Sequence, residues 1–181
     1  MSVAPLADPA VSSRAASLRL LVIDVDGVLT DGGLFYGADG ESLKRFNVLD
    51  GHGIKLLQQA GVAVAIISAR KSPIVERRAA DLGIAHLFQG VHDKLSAFNS
   101  LLAHTGLAAA DCGFIGDDVI DLPVLLRVGF AASVPQGHPE VRARAHYVTQ
   151  ASGGHGAVRE LCDFILRAQG KYEAALAPYL A

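Results

Sequence analysis

Residues 20–30 read LLVIDVDGVLT: four apolar side chains, then Asp24 and Asp26, then Gly27. An unbroken apolar run of this length predicts a strand buried on both faces, as in a parallel sheet. Two carboxylates one residue apart at the end of such a strand repel each other, which favours a bound cation. Asp and Gly are also ordinary turn residues, so a simple turn is the alternative. A turn, however, does not require a buried strand before it.

Segments with strand and helix patterns alternate along the rest of the chain. The predicted strands are 18–25, 62–67, 84–88, 113–115, 129–132 and 147–148, and the predicted helices are 51–60, 73–82, 93–102, 123–127 and 156–168. Residues 32–47 hold two short strand-like pieces around a turn at 37–40, which predicts a β-hairpin. The pattern as a whole predicts an α/β fold with a doubly wound, Rossmann-like parallel sheet. Ligands of such sheets bind at the carboxyl ends of the strands.

Polar side chains follow two further predicted strands. Ser68 follows the second strand of the sheet, and its hydroxyl with nearby backbone N–H groups suits a phosphate. Arg70 comes just after it and can bind an anion through two parallel hydrogen bonds. Lys94 begins a helix after the next strand. Each residue taken alone is explained as well by a helix cap or a solvated surface side chain.

The segment 116–123 carries three carboxylates within five residues, namely Asp117, Asp118 and Asp121. Such a concentration of like charge after a strand is unfavourable without a cation. Asp117, at the strand end, is therefore a candidate metal ligand. Asp118 and Asp121 are candidates to orient the lysine or to support the metal ligands from behind. For Asp118 a helix N-cap is the alternative.

In chain order, the elements Asp-x-Asp-Gly, Ser, Lys and Gly-Asp-Asp-x-x-Asp resemble the four motifs of the haloacid dehalogenase superfamily of Mg²⁺-dependent phosphatases. Four longer segments resemble one family of that superfamily, the 3-deoxy-D-manno-octulosonate 8-phosphate phosphatases. These segments are 24–33, 46–51, 116–123 and 153–160. The similarity runs from about residue 18 to residue 171, which is nearly the whole chain.

The resemblance implies a phosphoric monoester hydrolase and a role for each motif residue. Asp24 would be the nucleophile and Asp26 the general acid and base, while Ser68 and Lys94 would stabilise the transition state. Mg²⁺ would be held by Asp24, Asp117 and the backbone carbonyl of Asp26. The implied substrate, a small phosphorylated sugar acid, would contact Asp26, Asn47, Val48, Leu49, Asp50, Gly51, Lys55, Arg70, Arg78 and Lys94.

Many members of the superfamily cover the site with a cap domain inserted between the first and second or the second and third motifs. Here only a hairpin and one helix fit between Asp26 and Ser68, and only a helix and a short strand between Ser68 and Lys94. We therefore expect no cap domain. The family resemblance implies a homotetramer in which the hairpin 32–47 and the tail 171–181 cover neighbouring sites.

Composition narrows the class of protein further. The 181 residues carry a net charge of −2, which gives no basic field for nucleic acid, and no apolar run reaches the ~20 residues that cross a membrane. Residues 1–17 lack a signal-peptide pattern and are expected to be a flexible tail before a phosphatase domain at 18–170. With only two cysteines, we expect reduced thiols and a cytoplasmic location.

Three positions depart from the usual family pattern: Leu49, Ala69 and His155. Two of them lie in segments expected to face the substrate, so a phosphatase of a nine-carbon ulosonic acid 9-phosphate is an alternative. A non-catalytic homologue used for assembly is a second alternative. The intact Asp24 and Lys94 argue against it, because an unused site has no reason to keep buried charges.

Overall fold

The computed structural model describes residues 8–180. A six-stranded parallel sheet lies at its centre in the order β5-β4-β1-β6-β7-β8. Its strands are β1 (Leu20–Ile23), β4 (Ala63–Ile67), β5 (His86–Phe88), β6 (Cys112–Gly116), β7 (Phe130–Ser133) and β8 (Tyr147–Val148). The sheet begins in its middle with β1, continues through β4 to β5 on one side, and then through β6 and β7 to β8 on the other side. This topology confirms the predicted doubly wound fold.

Helices cover both faces of the sheet. They are α1 (Pro9–Ala16), α2 (Val48–Gln59), α3 (Pro73–Leu82), α4 (Lys94–Thr105), α5 (Leu122–Leu125), α6 (Pro139–Arg142), α7 (Ala157–Ala168) and α8 (Tyr172–Leu176). Leu21 and Ile23 of β1 pack into the core beneath α1, α2, α3 and α7. Leu20 and Val22 pack into the core beneath α4 and α5. Burial of each of these four side chains contributes about 1.5–3 kcal/mol of stability, which favours β1 as the central strand.

The predicted hairpin is present as an antiparallel pair, β2 (Phe35–Gly37) and β3 (Gly40–Leu43). It stands apart from the main sheet, and its apolar side chains Leu34, Phe35, Tyr36 and Leu43 remain 45–61% exposed. Among the described residues, only a short turn at Val25–Leu29, this hairpin and α2 separate β1 from β4, and only α3 and β5 separate β4 from α4. The described chain therefore has no cap domain at either position, as predicted.

The N-terminal segment differs from the flexible tail that we expected over 1–17. Residues 1–7 of that segment lie outside the described residues, but Pro9–Ala16 forms a helix. Asp8 caps it by accepting a hydrogen bond from the backbone N–H of Ala10 at 2.9 Å, and Ala15 is fully buried against the core. The sequence pattern did not predict this helix, because Ala15 is its single buried residue and one position makes no helical periodicity.

The C-terminal segment is also helical, with α8 followed by a single 3-10 turn at Ala177–Tyr179. The Lys171 ammonium group donates to the carbonyl of Ala60 at 2.8 Å, and the Tyr179 ring meets the His52 ring edge-on at a centroid distance of 5.4 Å. Residue 181 lies outside the described chain. The division into a tail, a domain and a second tail stays a prediction. None of the helices in residues 8–180 has the length and apolar character needed to cross a membrane.

Candidate active site

The candidate site forms where β1 ends. After Asp24 the backbone winds through a single π-type turn, Val25–Leu29, in which Gly27 has a φ of +90°. A methyl group on Gly27 would lie 2.0 Å from Oδ2 of Asp117, so only glycine allows that carboxylate to approach the turn. The β1 and β6 ends are neighbours in the parallel sheet, and this brings Asp24 and Asp117 together.

Lys94 is the buried cation of the site. Its Nζ lies 2.8 Å from Oδ1 of Asp24 and 2.5 Å from Oδ1 of Asp121. The other oxygen of Asp121 accepts the backbone N–H groups of Asp117 at 3.0 Å and Asp118 at 3.2 Å. Asp121 therefore orients Lys94 and fixes the loop after β6. The carboxylate of Asp118 is exposed and accepts the N–H of Val119 at 2.7 Å, which is the helix-cap alternative considered for it.

Carboxylate oxygens of Asp24, Asp117 and Asp121 lie within 4.8 Å of one another. Burial and, after it, the charge of Asp121 raise the pKa of Asp24 to about 8 against the opposing effect of Lys94. Burial, followed by the charges of Asp121 and Asp118, raises the pKa of Asp117 to about 7. Since both oxygens of Asp121 are already engaged, Asp24 and Asp117 are the pair that can hold a divalent cation.

Asp26 points to a different set of partners, on the hairpin side. Its Oδ1 forms a short hydrogen bond with Nζ of Lys44, and its Oδ2 lies 3.8 Å from Nε of Arg70. Lys44 also lies 2.9 Å from Glu41 of β3. Sequence reasoning missed Lys44 and Glu41, because we read the hairpin as a cover. Strand alternation gave no signal for this pair, because residues three apart on an extended strand point to opposite faces.

Ser68 is buried at the end of β4, and its hydroxyl accepts the backbone N–H of Arg70 at 3.3 Å. A cleft of about 140 Å³ opens between these groups, which is a suitable size for a phosphate group. Its lining residues are Asp24, Asp26, Ser68, Ala69, Arg70, Lys94, Asp117, Asp118 and Ile120. The fold thus gathers the residues of all four motifs around one cleft.

The remaining predicted substrate residues form a second cluster around the start of α2, outside that lining set. Asn47 caps α2 by accepting the N–H of Leu49 at 2.8 Å, which explains why the helix starts three residues before the predicted position. Arg78 donates to the Asn47 carbonyl at 3.3 Å and stands over the Phe46 ring. The other members of the cluster are Val48, Leu49, Asp50, Gly51 and Lys55.

Members of this second cluster differ in how accessible they are. Val48 is 80% exposed and Leu49 is 56% exposed, and the side chain of Lys55 also faces solvent. Asp50 is buried, and its Oδ1 accepts the backbone N–H of Arg159 at 2.8 Å. A carboxylate there favours the start of α7 through the helix dipole. Asp50 therefore supports the fold whether or not it also meets a ligand.

A buried aspartate after the central strand, with a lysine and a second acidic loop at neighbouring strand ends, defines a haloacid dehalogenase-like hydrolase. A family model of that description, "haloacid dehalogenase-like hydrolase", matches residues 80–161. The 3-deoxy-D-manno-octulosonate 8-phosphate phosphatase of Salmonella typhimurium is 49% identical over 167 residues, which are 92% of this chain and 89% of that relative.

Solved structures agree with this match. A probable YrbI family phosphatase from Pseudomonas syringae superposes with a TM-score of 0.94 at 50% identity, covering 96% of this chain and 99% of that one. A 3-deoxy-D-manno-octulosonate 8-phosphate phosphatase from Moraxella catarrhalis, solved with magnesium, phosphate and KDO, superposes with a TM-score of 0.91 at 43% identity, covering 93% and 97%. The chain therefore belongs to the 3-deoxy-D-manno-octulosonate 8-phosphate phosphatase family.

Proposed function

We propose that this enzyme is a Mg²⁺-dependent phosphatase that releases phosphate from 3-deoxy-D-manno-octulosonate 8-phosphate. In this proposal it acts in the cytoplasm, in the synthesis of a lipopolysaccharide sugar. The observation that carries the proposal is the buried Asp24, held by Lys94 at 2.8 Å at the mouth of β1, in a chain of this family. A carboxylate oriented by a cation and sheltered from water is a competent nucleophile toward phosphorus.

The reaction divides into two balanced steps. In the first, an Asp24 oxygen forms a bond to phosphorus while the bond from phosphorus to the sugar oxygen breaks. Protonated Asp26 gives its proton to the departing sugar oxygen, and an aspartyl-phosphate remains. In the second, Asp26 takes a proton from a water molecule whose oxygen attacks phosphorus. The Asp24–phosphorus bond then breaks, which releases inorganic phosphate and restores the proton on Asp26.

Asp24, Asp117 and the backbone carbonyl of Asp26 would hold Mg²⁺, and the two raised carboxyl pKa values fit a site built for a cation. When bound, the ion neutralises charge on the carboxylates and on the transferring phosphoryl group. Ser68 and Lys94 line the same cleft, and we assign them to the phosphoryl oxygens. Arg70 stands at the cleft wall as a further anion ligand.

The second cluster, around Asn47, Lys55 and Arg78, does not line the cleft, and in our proposal it meets the sugar acid bound to another chain. We propose a homotetramer in which one chain presents this cluster to the cleft of its neighbour. The exposed apolar side chains of the hairpin support this assembly, because such a surface is normally covered.

The test is phosphate release with Mg²⁺ and with EDTA. The substrates are the eight-carbon ulosonate 8-phosphate, a nine-carbon ulosonate 9-phosphate, glucose 6-phosphate and an aryl phosphate. A metal-dependent preference for the eight-carbon acid supports the proposal. A preference for the nine-carbon acid keeps the chemistry and changes the substrate. Absence of metal-dependent release from every substrate would point to the non-catalytic alternative, with Asp24→Asn as the inactive reference.

A further inference from the structure

Lys44 is a buried lysine in a hairpin that is otherwise largely exposed. It follows β3 directly, and its side chain is only 1% exposed. Nζ bonds Oδ1 of Asp26 and lies 2.9 Å from Oε1 of Glu41. Burying an ammonium group is costly unless its partners are fixed in place, so the position of Lys44 is tied to the position of these two carboxylates.

The two oxygens of Asp26 have different surroundings. Oδ1 is engaged by Lys44, whereas Oδ2 lies 3.8 Å from Nε of Arg70. That separation is too long for a hydrogen bond, and Nε of Arg70 is buried without a hydrogen-bond partner. The Asp26 side chain is 21% exposed and lines the cleft. Oδ2 is therefore the oxygen that remains free to exchange a proton with a ligand.

Glu41 anchors this arrangement to the core. Its Oε2 accepts a short hydrogen bond from the hydroxyl of Ser72, which is buried at the start of α3. Its Oε1 faces Lys44 and lies 3.8 Å from Arg70. The hairpin is thus fastened to α3 at Ser72 and to the π-type turn at Asp26. A change at Glu41 or Lys44 is transmitted to the general acid itself.

We propose that Lys44 is a positioning residue for Asp26. By holding Oδ1, it aims Oδ2 at the oxygen of the leaving group, to which Oδ2 passes its proton as the bond from phosphorus breaks. This inference rests on the proposed function, because it concerns the first of the two steps above. The competing interpretation is that Lys44 only fastens the hairpin, and then its loss affects every substrate equally.

Leaving groups of different acidity separate these two interpretations. A sugar hydroxyl is a poor leaving group and needs its proton, whereas 4-nitrophenolate departs without one. The value of kcat/KM reports steps up to the first irreversible one, departure of the leaving group. General acid catalysis contributes roughly 10²–10⁴-fold. We expect Lys44→Met to lower kcat/KM at least ~10-fold for the sugar phosphate and less than ~3-fold for 4-nitrophenyl phosphate, with KM for the sugar phosphate little changed.

Three further variants make the test specific. Lys44→Arg keeps a buried donor and should recover most of the sugar-phosphate activity. Glu41→Gln should show the same dependence on leaving group in weaker form, and it decides the question if Lys44→Met does not fold. The matched control is Arg144→Met, which removes a cation that pairs with Glu140 at 2.5 Å and does not line the cleft. We expect no dependence on leaving group in that control.

Equal losses for both substrates in folded variants of unchanged assembly would overturn the inference, as would full activity of Lys44→Met. The wild-type enzyme keeps the two proposals separate. If it prefers a different alkyl phosphate, the substrate assignment fails. The comparison of leaving groups is then made with that alkyl phosphate, and it tests Lys44 just as directly.

Discussion

Binding of Mg²⁺ should stabilise this protein far more at pH 8 than at pH 6. The reason is the carboxyl pair Asp24 and Asp117, whose pKa values rise to about 8 and about 7 on folding without a metal. A carboxyl group with a raised pKa favours the folded state fully below its unfolded pKa. That contribution is lost as the pH rises through the folded pKa. The metal-free protein therefore loses stability between about pH 4 and pH 8.

The size of the effect follows from the pKa of Asp24. Each unit of difference in pKa corresponds to about 1.36 kcal/mol. The increase from 3.8 to about 8 thus amounts to about 6 kcal/mol of lost stability above pH 8, taken as an upper bound for this group. Mg²⁺ binds the ionised pair, so it competes with protons and binds more weakly at pH 6.

At pH 8, an ion present at about 100 times its Kd stabilises the fold by about 2.7 kcal/mol. For a chain of this length, that corresponds to an increase in Tm of about 5–11 °C. At about pH 6 we expect less than half of this increase, because protons already neutralise the pair. Thermal unfolding with Mg²⁺ and with EDTA at the two pH values measures the difference.

Two variants check that the effect belongs to the site. Asp117→Asn removes one proposed ligand, so the increase in Tm with Mg²⁺ should disappear. Asp39→Asn changes an exposed carboxylate at the hairpin turn and should leave the increase intact. The reasoning is refuted if the increase is equal at both pH values, or if it persists in Asp117→Asn.

Three further changes and one control variant give distinct outcomes. Asp24→Asn should lower phosphate release by three orders of magnitude or more. Its Tm in EDTA at pH 8 should not fall, because a buried charge is removed. Retained turnover would contradict the assignment of Asp24 as the nucleophile. Gly27→Ala should cost about 1–3 kcal/mol in urea unfolding and weaken Mg²⁺ binding by calorimetry, since the new methyl meets Asp117. Gly40→Ala is the control, because Gly40 also has a positive φ but the added methyl group would meet no other atom. It should lower stability without weakening Mg²⁺ binding. Deleting residues 171–181 should lower turnover in the assembled enzyme. Unchanged kinetics would show that the tail does not contribute to an active site.

Sequence reasoning predicted the sheet and its motif residues because both depend on local patterns. A short apolar run such as the one before Asp24 is typical of a buried parallel strand, and polar residues after parallel strands converge at one edge of the sheet. The partner of Lys94 remained open between Asp118 and Asp121, since spacing in a loop does not determine which carboxylate turns inward. The structure resolves it, because Nζ of Lys94 lies 2.5 Å from Oδ1 of Asp121 while the Asp118 carboxylate accepts the N–H of Val119.

What the sequence could not predict depends on contacts between distant segments. Helix α1 has a single buried residue, Ala15, and its place against α7 follows from tertiary packing. Lys44 is an ordinary strand residue until the hairpin folds back over the turn after Asp24. Asp50, expected at the substrate, accepts the N–H of Arg159 at the start of α7 through Oδ1, and its contact with a ligand stays a prediction. In each case the local pattern is weak and a partner more than a hundred residues away, or on another element, decides the position.

The two halves of the site differ in net charge, so only one of them requires a bound cation. Beside β1 and β6, the buried carboxylates Asp24, Asp117 and Asp121 face one cation, Lys94, which leaves two negative charges uncompensated.

On the hairpin side, Asp26 and Glu41 face Lys44 and Arg70, and the charges balance. A divalent cation supplies the charge missing from the first half and would unbalance the second. The nucleophile therefore belongs to the half that requires a metal. The general acid belongs to the half whose charge is complete without one, where Lys44 holds one oxygen of Asp26 and the other can exchange a proton with the leaving group.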